Sequence, residues 1–318
     1  VATDKDSGAP GPTLTGLRAI MLLLGVMLAA GAFLVGKWHY FDSDAADLAA
    51  AQNILASVGA SFLFALILDV FWQVRKVLSN RSFRQFFGNG IESGDVCLVY
   101  PDFVLNPAIL RPDAEIRTVS SYNKRSSHFD VKPYIILPHV LAEVDVQASV
   151  FVASMLGEYI AKPPALLPDS MAVPSVRGSF ISFGLYSNDM TWLYLSTDPE
   201  PMFALGDDAD GKRHLVHLGD GKNTIFGWTE QADHALILKF RPQPVDEPDR
   251  VWIICAGLGA SGTTAAAWRF VNAWNDYERR FGQDDFMIIL KVSNNLAAYE
   301  SATEVASHVR RKPAWYTR

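Results

Sequence analysis

Two apolar runs at the front of the chain constrain it more than any other feature. Leu17 to Gly36 reads LRAIMLLLGVMLAAGAFLVG, with one charge at its edge, and Asn53 to Trp72 reads NILASVGASFLFALILDVFW, in which only Asp69 is charged. About 20 apolar residues at 1.5 Å each are enough to cross roughly 30 Å of hydrocarbon. The runs therefore predict a two-helix transmembrane hairpin over 17–76, the alternative being a buried hairpin of a soluble domain. Small residues recur four apart, as Gly25 with Ala29, Ala32 with Gly36, Ala56 with Ala60 and Ser57 with Ser61. That spacing puts each pair on one helix face, where backbones approach closely. It suits packing within the hairpin or assembly into a homo-oligomer. Two spans cannot enclose a pore, so a pore would require assembly.

The flanking charges predict the side. Arg75, Lys76, Arg81 and Arg84 follow the second run, whereas the linker from Lys37 to Ala51 holds one Lys against Asp42, Asp44 and Asp47. Lys and Arg stay on the cytoplasmic side. The expected protein is multi-pass in the plasma (inner) membrane, with its N-terminus and large domain in the cytoplasm. Residues 1–16 are polar and rich in Gly and Pro, which predicts disorder. They do not read as a signal peptide, because a second span follows the first at once. Asp69 sits near the cytoplasmic end of its run and reads as an interfacial carboxylate more readily than as part of an ion path.

Composition narrows the remainder. The 318 residues carry a formal charge of -6, which argues against a nucleic-acid binder by bulk charge. The two cysteines, Cys97 and Cys255, lie inside apolar, strand-like runs and read as reduced core thiols. The seven His are scattered, without the spacing that metal ligands show, so no metal is expected. No G-x-S-x-G elbow, Walker A lysine motif or H-E-x-x-H is present.

Residues 77–318 read as one α/β domain. A basic helix is expected over 77–90, then a short strand at Asp95 to Pro101, and a polar, irregular stretch over 102–133. A helix is expected from Leu137 to Ile160, where apolar residues recur every three to four positions. A Pro-rich break over 163–174 precedes a strand, Gly178 to Asn188. Between 192 and 241 short apolar runs alternate with Gly/Asp turns, which predicts a compact antiparallel insert. The last unit is the clearest: VWIICA (251–256), a glycine loop, a helix over 263–280 and FMIILKV (286–292). Strand, loop, helix and strand imply a βαβ unit in a parallel sheet. The fold class expected is α/β: an N-terminal two-helix transmembrane hairpin followed by a Rossmann-like parallel-sheet domain with an antiparallel β insert.

Three constellations carry candidate chemistry. Gly257, Gly259 and Gly262 form G-x-G-x-x-G directly after a strand and at the start of a helix. Glycines permit a tight turn, and the free N–H groups of the helix start face an anion, with Ser261, Thr263 and Thr264 adding hydroxyls. A conventional NAD site is doubtful, because the next strand ends in Lys291-Val-Ser-Asn-Asn rather than a ribose-binding acid. The alternative is that these glycines only let helix and sheet pack closely. The second constellation is the turn Ser187, Asn188 and Thr191, where the alternative is an Asx-type turn. The third is Asp102 at a strand end, with Arg117, Lys124 and Arg125 in the polar stretch after it, which could clamp a phosphate or simply be solvated.

The stretches ISFGLYSNDMT and ICAGLGASGTTAAAW resemble Rossmann-like bacterial domains. In those domains a strand ending in a Gly…Ser/Asn…Thr turn is followed by one ending Ala-Gly…Gly-Thr and an Ala-rich helix. The architecture is also similar to that of membrane hairpins fused to Rossmann-like sensor domains among effectors of bacterial nucleotide-signalled antiviral defence. The resemblance implies nucleotide sensing and no catalytic residue set. It names no cofactor. The function expected is a membrane-tethered sensor or effector that binds a nucleotide-like anionic ligand. Two alternatives stand beside it: a membrane-bound nucleotide hydrolase or glycosyl-transferring enzyme using Asp102 or Asp145 as acid/base, and a non-catalytic scaffold.

Overall fold

A computed structural model describes residues 27, 30, 31, 34, 46–88, 91, 95–105, 135–137, 141–175, 178–219, 222–242, 246, 247, 249–294 and 296–310. The chain divides into two compact units, Val1–Ser79 and Asn80–Arg318.

The first apolar run lies outside the described residues except for Met27, Ala30, Gly31 and Leu34, which are helical. The second run, the end of the acidic linker and the basic collar form one helix, α1 (Ala46–Phe87). The separate helix expected over 77–90 is thus the last part of α1. Nothing between Ala46 and Phe87 breaks the helix: there is no proline and only one glycine, Gly59. Gly88 ends it with φ +86°, and its N–H donates to the Arg84 carbonyl at 2.7 Å, the usual left-handed helix stop. Among the described residues no helix is long and apolar enough to cross a membrane. Within α1, Phe64, Ile67, Val70, Phe71, Trp72 and Val74 are nevertheless each more than half exposed. At 3.6 residues per turn they spread over about 200° of the helix circumference.

The unit from Asn80 is built on a seven-stranded sheet in the order β12-β11-β9-β10-β5-β1-β4. Its strands are β1 (Val96–Tyr100), β4 (Ala165–Pro168), β5 (Ser179–Phe183), β9 (Ala232–Phe240), β10 (Trp252–Gly257), β11 (Asp285–Ser293) and β12 (Thr303–Arg310). β4, β1, β5 and β10 are mutually parallel. β9 runs antiparallel to both β10 and β11, and β12 antiparallel to β11. The strand, helix and strand expected over 251–292 are present, but the two strands are not neighbours and the sheet is mixed rather than parallel. β10 and β11 point the same way, but β9 lies between them. HALILKF, expected in the antiparallel insert, is this central strand, and its residues from Ala235 to Arg241 are buried. A run buried on both faces loses the alternation that marks an insert strand.

Helices cover both faces. On one, α2 (Glu143–Gly157) and α5 (Ala260–Phe281) share a core with Ile181, Phe183, Ile253 and Cys255 and with Phe83, Phe86 and Phe87 from the end of α1. On the other, α3 (Asp169–Ser175) and α4 (Asp189–Thr197) pack with Val99, Phe180, Trp252 and Ile254. The antiparallel insert is a three-stranded sheet, β6 (Phe203–Asp207), β7 (Arg213–Gly219) and β8 (Lys222–Gly227).

Other boundaries move. α2 starts at Glu143, not at Pro138, because β3 (Ile135–Leu137) pairs with β2 (Phe103–Leu105) just before it. The Pro-rich break contains β4 and α3. Proline is tolerated there because β4 is an edge strand. The region expected to be strand from 192 on begins with α4. Arg117, Lys124 and Arg125 lie outside the described residues.

Candidate site at the carboxyl edge of the sheet

Because β4, β1, β5 and β10 are parallel neighbours, their carboxyl ends form one edge. Cys255 lies beside Phe183, Ser182 beside Val99, and Tyr100 beside Pro168. That edge gathers Asp102 after β1, Asp169 after β4, the Ser187–Thr191 turn after β5 and the Gly257–Thr264 loop after β10. Ligands of open α/β sheets bind at such edges.

The glycine loop holds an anion of its own. Gly259 is the N-cap of α5 and has no side chain with which to cap it. Asp233, on the adjacent strand β9, does so instead. The Gly259 N–H donates to both Asp233 carboxylate oxygens at 3.1 Å, and the Gly262 N–H donates to Oδ2 at 2.6 Å. Asp233 is fully buried. Burial pushes its carboxyl up, while the Gly262 and Gly259 amides pull it down. A Cβ on Gly262 would come within 2.7 Å of Asp233 Oδ2, and one on Gly259 within 2.9 Å of it and 3.1 Å of Trp228 Nε1. A Cβ on Gly257 would meet the backbone of Gly262 and Thr263 at 2.5 Å. These glycines therefore serve close packing and make room for a carboxylate from the chain itself.

The hydroxyls of this loop mostly face inward. Thr263 Oγ1 accepts from the Gly257 N–H at 3.1 Å. Ser261 Oγ donates to Asn294 Oδ1 at 3.3 Å. Thr264 is fully buried, and among the described residues its hydroxyl finds no hydrogen-bond partner.

The β5 turn behaves similarly. Asn188 is fully buried and caps α4: its Oδ1 accepts from the Met190 N–H at 2.9 Å, and its amide donates to the carbonyls of Phe183 and Val99. Thr191 Oγ1 donates to the Gly184 carbonyl at 3.2 Å. Asn188 and Thr191 thus stitch β5, β1 and α4 together. Ser187 is the exposed member of the turn.

Sequence reasoning passed over Asp169, which organises the other half of the edge. It is buried, and it accepts from the N–H groups of Asp102 (3.0 Å) and Ser170 (2.9 Å) at Oδ1 and of Asp189 (2.8 Å) at Oδ2. Three elements, the ends of β1 and β4 and the start of α4, are fixed by one carboxylate. Burial, with the neighbouring Asp189 charge, pushes the Asp169 carboxyl up to about 8. Asp189 is pushed up to about 6 by burial and by the Asp102 charge. Asp145, the other acid/base candidate, is also pushed up to about 6 by burial. It belongs to α2, on the sheet face opposite α3 and α4, so it does not join the Asp102, Asp169 and Asp189 group. Among the described residues no cluster of His, Cys, Asp and Glu has the geometry to hold a metal.

One signal for Asp169 was present in the sequence: an Asp directly after Ala-Leu-Leu-Pro, the position a strand-end acid takes. Asp233 left no such signal, because it meets the loop only through the antiparallel placement of β9. No family model, curated protein or solved structure matches this chain.

Proposed function

We propose that the protein is a membrane-tethered sensor or effector, in which the α/β unit binds a nucleotide-like ligand at the carboxyl edge and biases the state of the apolar helices. The observation that carries the ligand half is the convergence of the β5 turn and the glycine loop on adjacent parallel strands. The accessible part of that edge consists of Ser187, Ala260 and half-exposed Trp228, with Asp102 and Asp189 partly covered beside them. Carboxylates at a strand end suit ribose hydroxyls. An anionic group would reach the α5 amides only by taking the place of the Asp233 carboxylate.

The membrane half is supported by α1, whose exposed apolar side chains spread over about 200° of its circumference. An apolar face this wide is stable when covered by lipid or by protein. Phe83, Phe86 and Phe87, at the end of the same helix, belong to the core of the α/β unit. The covalent route from ligand edge to membrane therefore runs through a packed core. The ligand must favour one state of the helices over another for signalling to follow.

Thermal shifts of the full-length protein in detergent, against nucleotides, dinucleotides and cyclic oligonucleotides, test the reading. A ligand at about 100 times its Kd adds about 2.7 kcal/mol. The shift should disappear in Ser187→Trp, which blocks the edge at an exposed position. No shift with any of these compounds would remove the ligand half of the proposal. Turnover of a nucleotide, lost in Asp189→Asn, would instead support the nucleotide-processing enzyme, for which the raised Asp189 carboxyl is the relevant observation.

A further inference from the structure

We propose that the basic end of α1 binds the headgroups of anionic phospholipids, with Lys76 and Arg81 as the principal contacts and Arg84 beyond them. The inference rests on reading α1 as a membrane tether, and it names the lipid class that the tether takes. Trp72, Val77 and Leu78 are 60%, 68% and 57% exposed, and Lys76, Arg81 and Arg84 are exposed on the same helix. At 3.6 residues per turn the three cations fall within about 140° of the helix surface. No acidic residue stands between Asp69 and Glu92, although the chain as a whole has a formal charge of -6. A solvated helix face sets acids three or four residues from its cations. This one has no acid at that spacing and carries exposed apolar side chains among its cations instead. That combination suits a boundary between hydrocarbon and anionic headgroups. For a helix near the membrane normal, Lys76 rises about 6 Å beyond Trp72, Arg81 about 14 Å and Arg84 about 18 Å. The headgroup layer on one side of a bilayer is roughly 5–8 Å deep, and its charge is felt over about 8 Å more at physiological salt. Lys76 therefore stands among the headgroups, Arg81 within one screening length of them, and Arg84 past that limit.

Full-length protein reconstituted in phosphatidylcholine bilayers, with a trace of spin-labelled phosphatidylserine or phosphatidylcholine, tests this. The motionally restricted fraction of each label measures which lipid the protein holds. An anionic headgroup gains roughly fivefold from one cation at the surface, so phosphatidylserine should be favoured by about that factor. The preference should fall toward unity at high salt. Lys76→Gln should lose most of it, Arg81→Gln less and Arg84→Gln least, whereas Lys76→Arg should keep it. The triple glutamine variant should hold both lipids equally, and its restriction of phosphatidylcholine shows that it is still in the bilayer. If the triple variant does not insert, the ordered loss across the single variants decides. Equal restriction of both labels by the wild type would overturn the inference and leave the tether standing, and so would a preference that survives in the triple variant. Restriction of neither label by the wild type would remove the tether itself, and the inference with it.

Discussion

At the scale of single residues, Asp169 shows how one buried carboxylate can build an edge. Its three amide donors stabilise the charged form, whereas burial and the Asp189 charge oppose it, and burial dominates. A carboxyl raised in the folded state binds its proton more tightly there than in the unfolded chain. Its stabilisation is fully present below the ordinary carboxylate pKa near 4 and is lost as pH rises through about 8. Asp189 and Asp145, each raised to about 6, lose theirs earlier. Stability of the α/β unit should therefore fall from pH 4 to pH 8, with Asp169 and Asp189 titrating as one interacting pair over the upper part of that range. Urea unfolding at stepped pH measures this. In Asp169→Asn the decline between pH 6 and 8 should flatten, although the variant is less stable throughout because one donor now faces an amide –NH2. A decline of unchanged slope in that variant would show that another group is responsible.

Between elements, the most exacting junction is the end of α1. Gly88 adopts φ +86°, and a Cβ there would collide with the Asp249 backbone carbonyl. Beside it, the β9 residue Lys239, fully buried, donates to the Gly282 carbonyl at 2.8 Å and lies 4.3 Å from the Phe86 ring centroid. Gly88→Ala should cost at least about 1–2 kcal/mol from the left-handed conformation alone, and more from the collision. Denaturant midpoints would register it, and a change under about 0.5 kcal/mol would mean that the chain reroutes at this point. β9 itself places Asp233 at the carboxyl edge and Lys239 at the opposite edge of the sheet. A strand with a functional group at each end and apolar residues between was legible as a strand. Its place in the sheet was not, because strand order depends on pairing partners far apart in sequence.

For the molecule as a whole, the exposed apolar side chains of α1 are the feature that a water-soluble monomer would not retain. The full-length protein should sediment with membranes and resist alkaline extraction. Phe64→Arg, near the middle of the apolar run, places a charge whose cost at a helix centre is about 2.5–3.5 kcal/mol. It should shift the protein toward the soluble or aggregated fraction. Wild-type protein in the alkaline supernatant would count against the tether and favour a protein partner on the same surface.

What the sequence by itself determined is local. The apolar length of 53–72, the strands at 95 and 251, the short strands of the insert and the glycine loop before a helix all follow from hydrophobic period, turn chemistry and helix-start signals, which act over a few residues. It also determined that the β5 turn and the glycine loop would share an edge, provided their strands were parallel neighbours. The tertiary structure alone decided that β9 separates β10 from β11, that β4 is a strand despite Pro168, and that Asp169 and Asp233 reach the edge. It likewise decided that Asn188, Thr191 and Thr263 hydrogen-bond to the protein's own backbone. The physical reason is common to all of these. A buried polar group takes whichever partner the fold brings within about 3 Å, and strand pairing joins segments far apart in the chain, so neither is written in any window of the sequence.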